Sequence, residues 1–174
     1  DAVYFVAQEN YPVEFLEAAY PVYFRTWALR PDSGGPGENR GGLGAIYEIE
    51  LLEENADVFL FGERGRFAPQ GVAGGGAGAL NRFWFEQSDG LHEPPMKSKM
   101  VDIKIVKGQY LHLETPGGGG YGQPRKREPA AVVEDVRLGY VSAVAAAKDY
   151  AVAVDENGNL DVTTTKILRT RSQT

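Results

Sequence analysis

The sequence predicts a mainly β fold: two sheets in a sandwich or barrel-like arrangement, glycine-rich polyproline-II-like segments against them, and a short helical C-terminal region. Three observations predict it. Short aromatic and β-branched runs that alternate with polar residues recur up to about residue 114. Between them lie three tracts so rich in glycine and proline that neither a regular helix nor a central strand tolerates them. Beyond residue 125 the pattern turns helical. The expected division is a β-rich domain over 1–124 and a helical region over 125–174 packed on it, the whole being one domain in size.

Taken in order, Ala2 to Ala7 is a short β-like run, and Pro12 argues for an extended entry before a helical turn over residues 14–19. Tyr20 to Leu29 is aromatic and alternating, which predicts a strand. The first glycine tract, Arg30 to Gly44, carries six glycines and two prolines in fifteen residues and excludes regular structure. Gly44 to Leu52 reads as a half-buried strand and Asp57 to Gly62 as another, with Glu53 to Asn55 as the turn between them. The second tract, Gly71 to Gly78, precedes a strand at Asn81 to Glu86 and a polar loop over 87–99. Val101 to Val106 and Gln109 to Glu114 both alternate and flank Lys107-Gly108, which predicts a hairpin. The third tract is Glu114-Thr-Pro-Gly-Gly-Gly-Gly-Tyr-Gly122. Pro129 to Arg137 has proline at a first-turn position and Gly139 as a stop, so it predicts a helix. Ser142 is positioned to cap a second helix over Ala143 to Tyr150. A small hairpin is expected around Asn157-Gly158, with a helical or frayed tail from Thr163.

Composition narrows the function classes. Hydrophobic residues at 43% and charged residues at 24% indicate a globular chain rather than a disordered one. A net charge of −6 argues against nucleic acid as a partner, and the basic run Arg125 to Arg127 reads as a solvated linker. The absence of cysteine excludes disulfides, thiolate metal sites and a cysteine nucleophile, and fits a cytoplasmic location. No apolar run approaches the roughly 18–20 residues of a membrane span, so no membrane partner is expected. The chain opens with Asp1 rather than Met, which reads as a processed chain or one piece of a longer polypeptide.

Four consecutive glycines cost roughly 0.5–1 kcal/mol each relative to alanine in regular structure. A folded domain keeps them where backbone closely approaches a ligand, a partner chain or its own neighbouring backbone. Read jointly, the three tracts suit extended segments packed side by side as a structural layer. A phosphate cradle lacks its usual partners: there is no G-x-x-x-x-G-K-[ST], and no smooth helix entry follows Gly122. His112 reads as a hydrogen-bonded strand residue. His92, beside Glu93, has no supporting metal-ligand spacing, and Ser33 has no G-x-S-x-G frame. Arg30, Asp32 and Arg40 suit either anion recognition or, preferably, an internal salt bridge fixing the first tract. No catalytic residue and no metal ligand is assigned. The candidate substrate or interface contacts are Arg30, Asp32, Ser33, Arg40, Gly117, Gly118, Gly119, Gly120 and Tyr121. Gly118→Val is expected to abolish assembly or activity through a Cβ clash.

Several motifs recur together. They are Tyr20-Pro-Val; Leu29-Arg-Pro-Asp-Ser-Gly-Gly-Pro-Gly with Arg40-Gly-Gly-Leu-Gly44; Arg64-x-Arg-Phe-Ala-Pro-x-Gly71; Glu114 through Pro124; and Glu134-Asp-Val-Arg-x-Gly-x-Val-Ser142 through Asp149-Tyr150. In this order they resemble the C-terminal part of the hydantoinase B/5-oxoprolinase family, which also includes acetone and acetophenone carboxylase subunits. The resemblance implies a subunit, or subunit portion, of an ATP-dependent cyclic-amide hydrolase that acts by carbonyl phosphorylation and ring opening. The alternatives are an ATP-dependent ketone carboxylase subunit and a non-catalytic assembly module of such a complex. It further implies a hydantoinase A-type ATP-binding subunit and the remainder of a hydantoinase B-type chain as partners. ATP and a divalent metal are expected in the complex but outside this chain, which alone is not expected to be catalytic. Residues 63–66 and 88–95 depart from the family pattern and leave the substrate class open.

Overall fold

The computed structural model describes residues 12–170; the Ala2 to Ala7 run lies outside them. After the helix α1 (Val13–Ala19) come the strands β1 (Val22–Leu29), β2 (Ala45–Leu51), β3 (Asn55–Phe61), β4 (Arg82–Gln87), β5 (Gly90–His92), β6 (Lys99–Val106) and β7 (Tyr110–Glu114). A 3-10 turn at Pro124–Lys126 precedes α2 (Pro129–Arg137), α3 (Ala143–Tyr150) and α4 (Val162–Thr170). The strands form a five-stranded sheet in the order β1-β2-β7-β4-β5 and a two-stranded sheet β3-β6, paired antiparallel throughout. The mainly β expectation holds as a pair of sheets, and among the described residues they do not close into a barrel.

The strand alternation sets the core. Leu51, Phe83 and Phe85 from the larger sheet meet Leu60, Ile103 and Ile105 from the smaller one, with Ala56, Val58, Met100, Leu111 and Leu113 packed around them. Burying each large apolar side chain contributes about 1.5–3 kcal/mol, so this interface holds the two sheets together. A second cluster joins the C-terminal helices through Val132, Val141, Ala146, Tyr150 and Val152.

Two strand pairings differ from the sequence-based expectation. The predicted hairpin of Val101 to Val106 with Gln109 to Glu114 does not form: β6 pairs with β3, while β7 lies between β2 and β4. The turn itself is present, with Gly108 at φ +85° and the Gln109 amide donating to the Val106 carbonyl. It carries the chain from one sheet to the other. Likewise β2 and β3 lie in different sheets, and Asn55, assigned to the turn, already belongs to β3. Period-2 alternation places Ile103, Ile105, Leu111 and Leu113 inward but is the same for neighbours in one sheet and for strands facing across a sandwich. The polar loop over 87–99 also contains β5, which pairs with β4.

The helical region follows its sequence signals closely. Ser142 accepts a hydrogen bond from the Ala145 amide at 3.1 Å and so caps α3. Gly139, at φ +73°, ends the turn after α2. The hairpin expected near residue 157 reduces to one bridge, Val154 with Leu160, around Gly158 at φ +80°. The tail expected from Thr163 is helical, and its helix α4 opens one residue earlier, at Val162.

Candidate functional site: a layer of interlocked glycine tracts

The three glycine tracts come together as one layer, with the third in the middle. The Gly118 amide donates to the Gly42 carbonyl at 2.9 Å, and the Gly35 amide donates to the Gly118 carbonyl at 2.8 Å. On the other side, the Gly120 amide donates to Gly76 and the Val72 amide to Gly120, both at 2.9 Å. Asn39 and Tyr121 exchange a pair of backbone bonds at 3.0 and 2.9 Å. The first and second tracts are tied directly, Gly76 N–H to the Pro36 carbonyl at 2.7 Å and Ala79 N–H to Ser33 at 2.8 Å. These bonds run between segments outside the seven strands, so the tracts supply for one another the backbone partners that buried chain requires.

The spacing between tracts is closed to side chains at most positions. A Cβ on Gly117 would fall on the Ser33 carbonyl, one on Gly119 on the Gln70 carbonyl, and one on Gly120 on the Pro36 carbonyl, all well inside the 3.0 Å that real Cβ atoms respect. Gly118 differs. Its Cβ would meet the Gly42 amide nitrogen at 3.2 Å, tight but within reach of a small adjustment. The clash expected at Gly118 therefore belongs chiefly to Gly117, Gly119 and Gly120.

Each polar candidate residue has a place in the frame of this layer. Ser33 is buried, donates its hydroxyl to the Arg30 carbonyl at 2.6 Å and accepts from the Gly44 amide at 2.9 Å. Arg30 pairs with Glu114 at 2.7 Å and donates to the carbonyls of Leu80 and Thr115, closing the ends of the tracts. Burial pulls its guanidinium below the ordinary arginine value. Asp32 adopts φ +57°, and its carboxylate accepts from the Ser142 amide at 2.7 Å, joining the first tract to α3. Arg40 donates to the Gly41 carbonyl at 2.7 Å, stands over the Tyr140 ring and pairs with Asp135 at 3.3 Å. Tyr121 is 57% exposed. Sequence reasoning does not single out Asp135. Only 6% exposed, it also binds Arg127 at 2.9 Å, while Arg127 donates to the Glu38 carbonyl at 3.0 Å. Its one sequence signal is its place inside the Glu134 to Ser142 motif, which does not separate it from its neighbours.

On the outer face of the five-stranded sheet, Thr26 and His112 donate to Glu48, both at 2.9 Å, and His112 Nε2 lies 3.4 Å from Glu114. The strand histidine is thus a hydrogen-bonded member of a polar row that ends at Arg30. These bonds, that from His112 foremost, hold the Glu48 carboxyl below its ordinary value of 4.5. Because folding depresses this pKa, the stabilisation is complete above the unfolded-state value and is lost as pH falls through the folded-state one. Glu48→Gln is expected to lower stability by about 0.5–1 kcal/mol near pH 6, with the gap to the parent closing toward pH 3 in urea melts. A gap independent of pH would contradict the linkage.

His92 bonds to Asp89 at 2.8 Å and stacks on Phe85. Among the described residues no group of three or more His, Cys, Asp or Glu is arranged to hold a metal ion. The Gly35, Gly76, Gly118 and Gly120 amides are spent on carbonyls of neighbouring tracts, so these four are not donors for a phosphate. The described residues of this layer offer no ligand set for a divalent metal, and no chemical step through a metal or a nucleotide is assigned to it.

Comparison with known proteins places this geometry. The model of the family described as hydantoinase B/oxoprolinase matches residues 2–124. The chain is 38% identical over 154 residues to the beta subunit of the caprolactamase of Pseudomonas jessenii, covering 86% of this chain and 26% of that protein. It is 29% identical to the B component of a putative D-/L-hydantoinase from a Pseudomonas species, covering 92% and 27%. The solved structure of the ATP-dependent caprolactamase from Pseudomonas jessenii superposes with a TM-score of 0.76 at 34% identity, over 91% of this chain and 28% of that one. Acetone carboxylase shares the fold, with a TM-score of 0.75 at 24% identity over 93% and 26%. The chain thus spans about a quarter of the length of these relatives. With the family model matching residues 2–124 and 38% identity to a caprolactamase beta subunit over 86% of its length, the chain belongs to the hydantoinase B/oxoprolinase family.

Proposed function

We propose that this chain is a portion of the hydantoinase B-type subunit of an ATP-dependent cyclic-amide hydrolase complex. The observation that carries the reading is the 38% identity to a caprolactamase beta subunit across 86% of the chain, glycine tracts included. In that complex ATP is bound by a hydantoinase A-type subunit, and phosphorylation of the amide carbonyl oxygen makes the ring carbon open to attack by water. ATP and a divalent metal are held outside this chain. Its own contribution is mechanical: a rigid layer, framed by Arg30, Asp32, Ser33 and Arg40, that presents Tyr121 and the edge of the third tract to the rest of the assembly. The β-rich portion 1–124 and the helical portion 125–174 act together, locked by Asp135 and Asp32. The cytoplasm is the expected compartment.

Native mass spectrometry of the protein as isolated tests this. The expected result is co-migration with larger chains, one of which binds ATP, and turnover of lactams or hydantoins by that assembly. Turnover of ketones with bicarbonate instead would move the assembly to the carboxylases. A lone 19.0 kDa species at every protein concentration would contradict the proposal.

A further inference from the structure

The smaller sheet turns one face into the core, and among the described residues nothing covers the large apolar side chains on the other. On that other face Phe59 is 75% exposed, Phe61 82% and Val101 65%, and beside it Phe67 is 79% and Met96 59% exposed. Phe59 and Phe61 are two residues apart on β3 and so point the same way. Phe61 stands opposite Lys99, and Phe59 faces the point where β6 bulges between Met100 and Ile103. The bulge is set by Asp102 at φ +59°, a costly conformation for a residue other than glycine. Two hollows flank the aromatic pair. One, of about 260 Å³, lies along Asp57, Val58, Phe59, Val101 and Asp102. The other, of about 410 Å³, is lined by residues 62–67 with Met96, Ser98 and Lys99.

Charge on this face is distinctive. Lys97, Lys99 and Lys104 are each paired, with Glu93, Glu63 and Asp57. Arg64 and Arg66 line the larger hollow, and neither guanidinium has a hydrogen bond or ion pair among the described residues. Arg64 itself sits at φ +64°. The hollow at the Phe67 end therefore holds Arg64, Arg66 and Lys99 against the single carboxylate of Glu63, an excess of positive charge, while the hollow at the other end holds the carboxylates of Asp57 and Asp102. Exposed aromatic side chains beside arginine are the composition of interface hot spots rather than of free surface.

We propose that this face, from Phe59 and Phe61 to Arg64, Arg66 and Phe67, is the surface on which the remainder of a hydantoinase B-type polypeptide docks. The docking segment carries apolar side chains next to carboxylates. The inference rests on the complex reading above and adds to it the place of contact. It follows from two features together. The relatives extend this domain by about three times its own length, so most of their surface-covering chain lies outside the region matched here. The face is apolar and cationic at its Arg64–Arg66 end, which selects a segment with carboxylates at that end.

Photo-crosslinking tests it. A benzoylphenylalanine is placed at position 61 of the chain in its source cells, with Val144, exposed on α3, as the control position. After irradiation, the joined peptides are sequenced. The expected result is a cross-link from position 61 to hydantoinase B-type sequence outside these 174 residues, at roughly tenfold the control yield, a contrast in line with a desolvated interface. Arg64→Glu with Arg66→Glu is expected to reduce that yield about tenfold, as loss of complementary charge would, without changing the thermal midpoint of the isolated chain. Cross-links to a second copy, to the ATP-binding subunit or to nothing would overturn the inference. If native mass spectrometry still shows the complex, the proposed function survives that failure; if the complex is absent too, both fall together.

Discussion

Gly117→Ala is expected to lower the stability of the chain by about 3 kcal/mol, while Gly118→Ala, one residue along, costs about 1 kcal/mol or less. The two residues are chemically identical and adjacent in sequence. They differ in what a methyl group would meet: the Ser33 carbonyl oxygen at one, with the Gly34 amide behind it, and a single amide nitrogen at 3.2 Å at the other. The carbonyl cannot give way, because the same oxygen accepts from the Ala79 amide and so fastens the first tract to the second. At Gly118, relief of unfolded-state entropy by alanine, about 0.4–1 kcal/mol, offsets much of the crowding. Gly119→Ala and Gly120→Ala should follow Gly117, since each would drive a methyl group onto a backbone carbonyl. Urea denaturation of the four variants measures the order. Equal, small losses at all four positions would mean that the tracts are not interlocked.

Asp135→Ala is expected to cost about 3–5 kcal/mol, the range for leaving buried charge without its partner. Its carboxylate is the shared acceptor of Arg40 from the first glycine tract and Arg127 from the segment before α2. Both arginines are largely enclosed and are held by further bonds to backbone carbonyls, so neither can turn freely into solvent when the carboxylate is removed. Asp135→Asn keeps an acceptor oxygen without the charge and should fall between the two. Thermal melts of the three proteins check this. A loss below about 1 kcal/mol for the alanine variant would place the pair in the class of exposed ion pairs.

How much of this could be seen in the sequence depends on the range of the signal. The helix starts and stops were legible because Pro129, Gly139 and Ser142 act on the turn that contains them. Strand positions were legible because alternation is local. Which strands pair was not, since Ile103 and Leu111 point into the same core whether they sit side by side or face to face. Within the glycine layer the sequence showed that close approach was required but gave no ranking among Gly117 to Gly120. Four identical residues differ only through the carbonyls brought against them from Ser33, Gln70 and Pro36. Asp135 was hidden for the same reason: its partners lie 95 and 8 residues away, and only the fold brings the first of them to it. The exposed Phe59 and Phe61 are invisible to alternation as well, because a strand with apolar residues on both faces reads only as a strongly β segment.

The three glycine tracts bond to one another as a structural layer rather than standing open as a ligand loop. Native-state hydrogen exchange of the Gly35, Gly76, Gly118 and Gly120 amides tests it most directly, since each donates to a carbonyl of another tract at 2.7–2.9 Å. All four are expected to exchange slowly, with protection approaching that of the core strands and unchanged by added phosphate or ATP. Exchange at the rate of an open loop, with protection appearing only when phosphate or ATP is added, would contradict it.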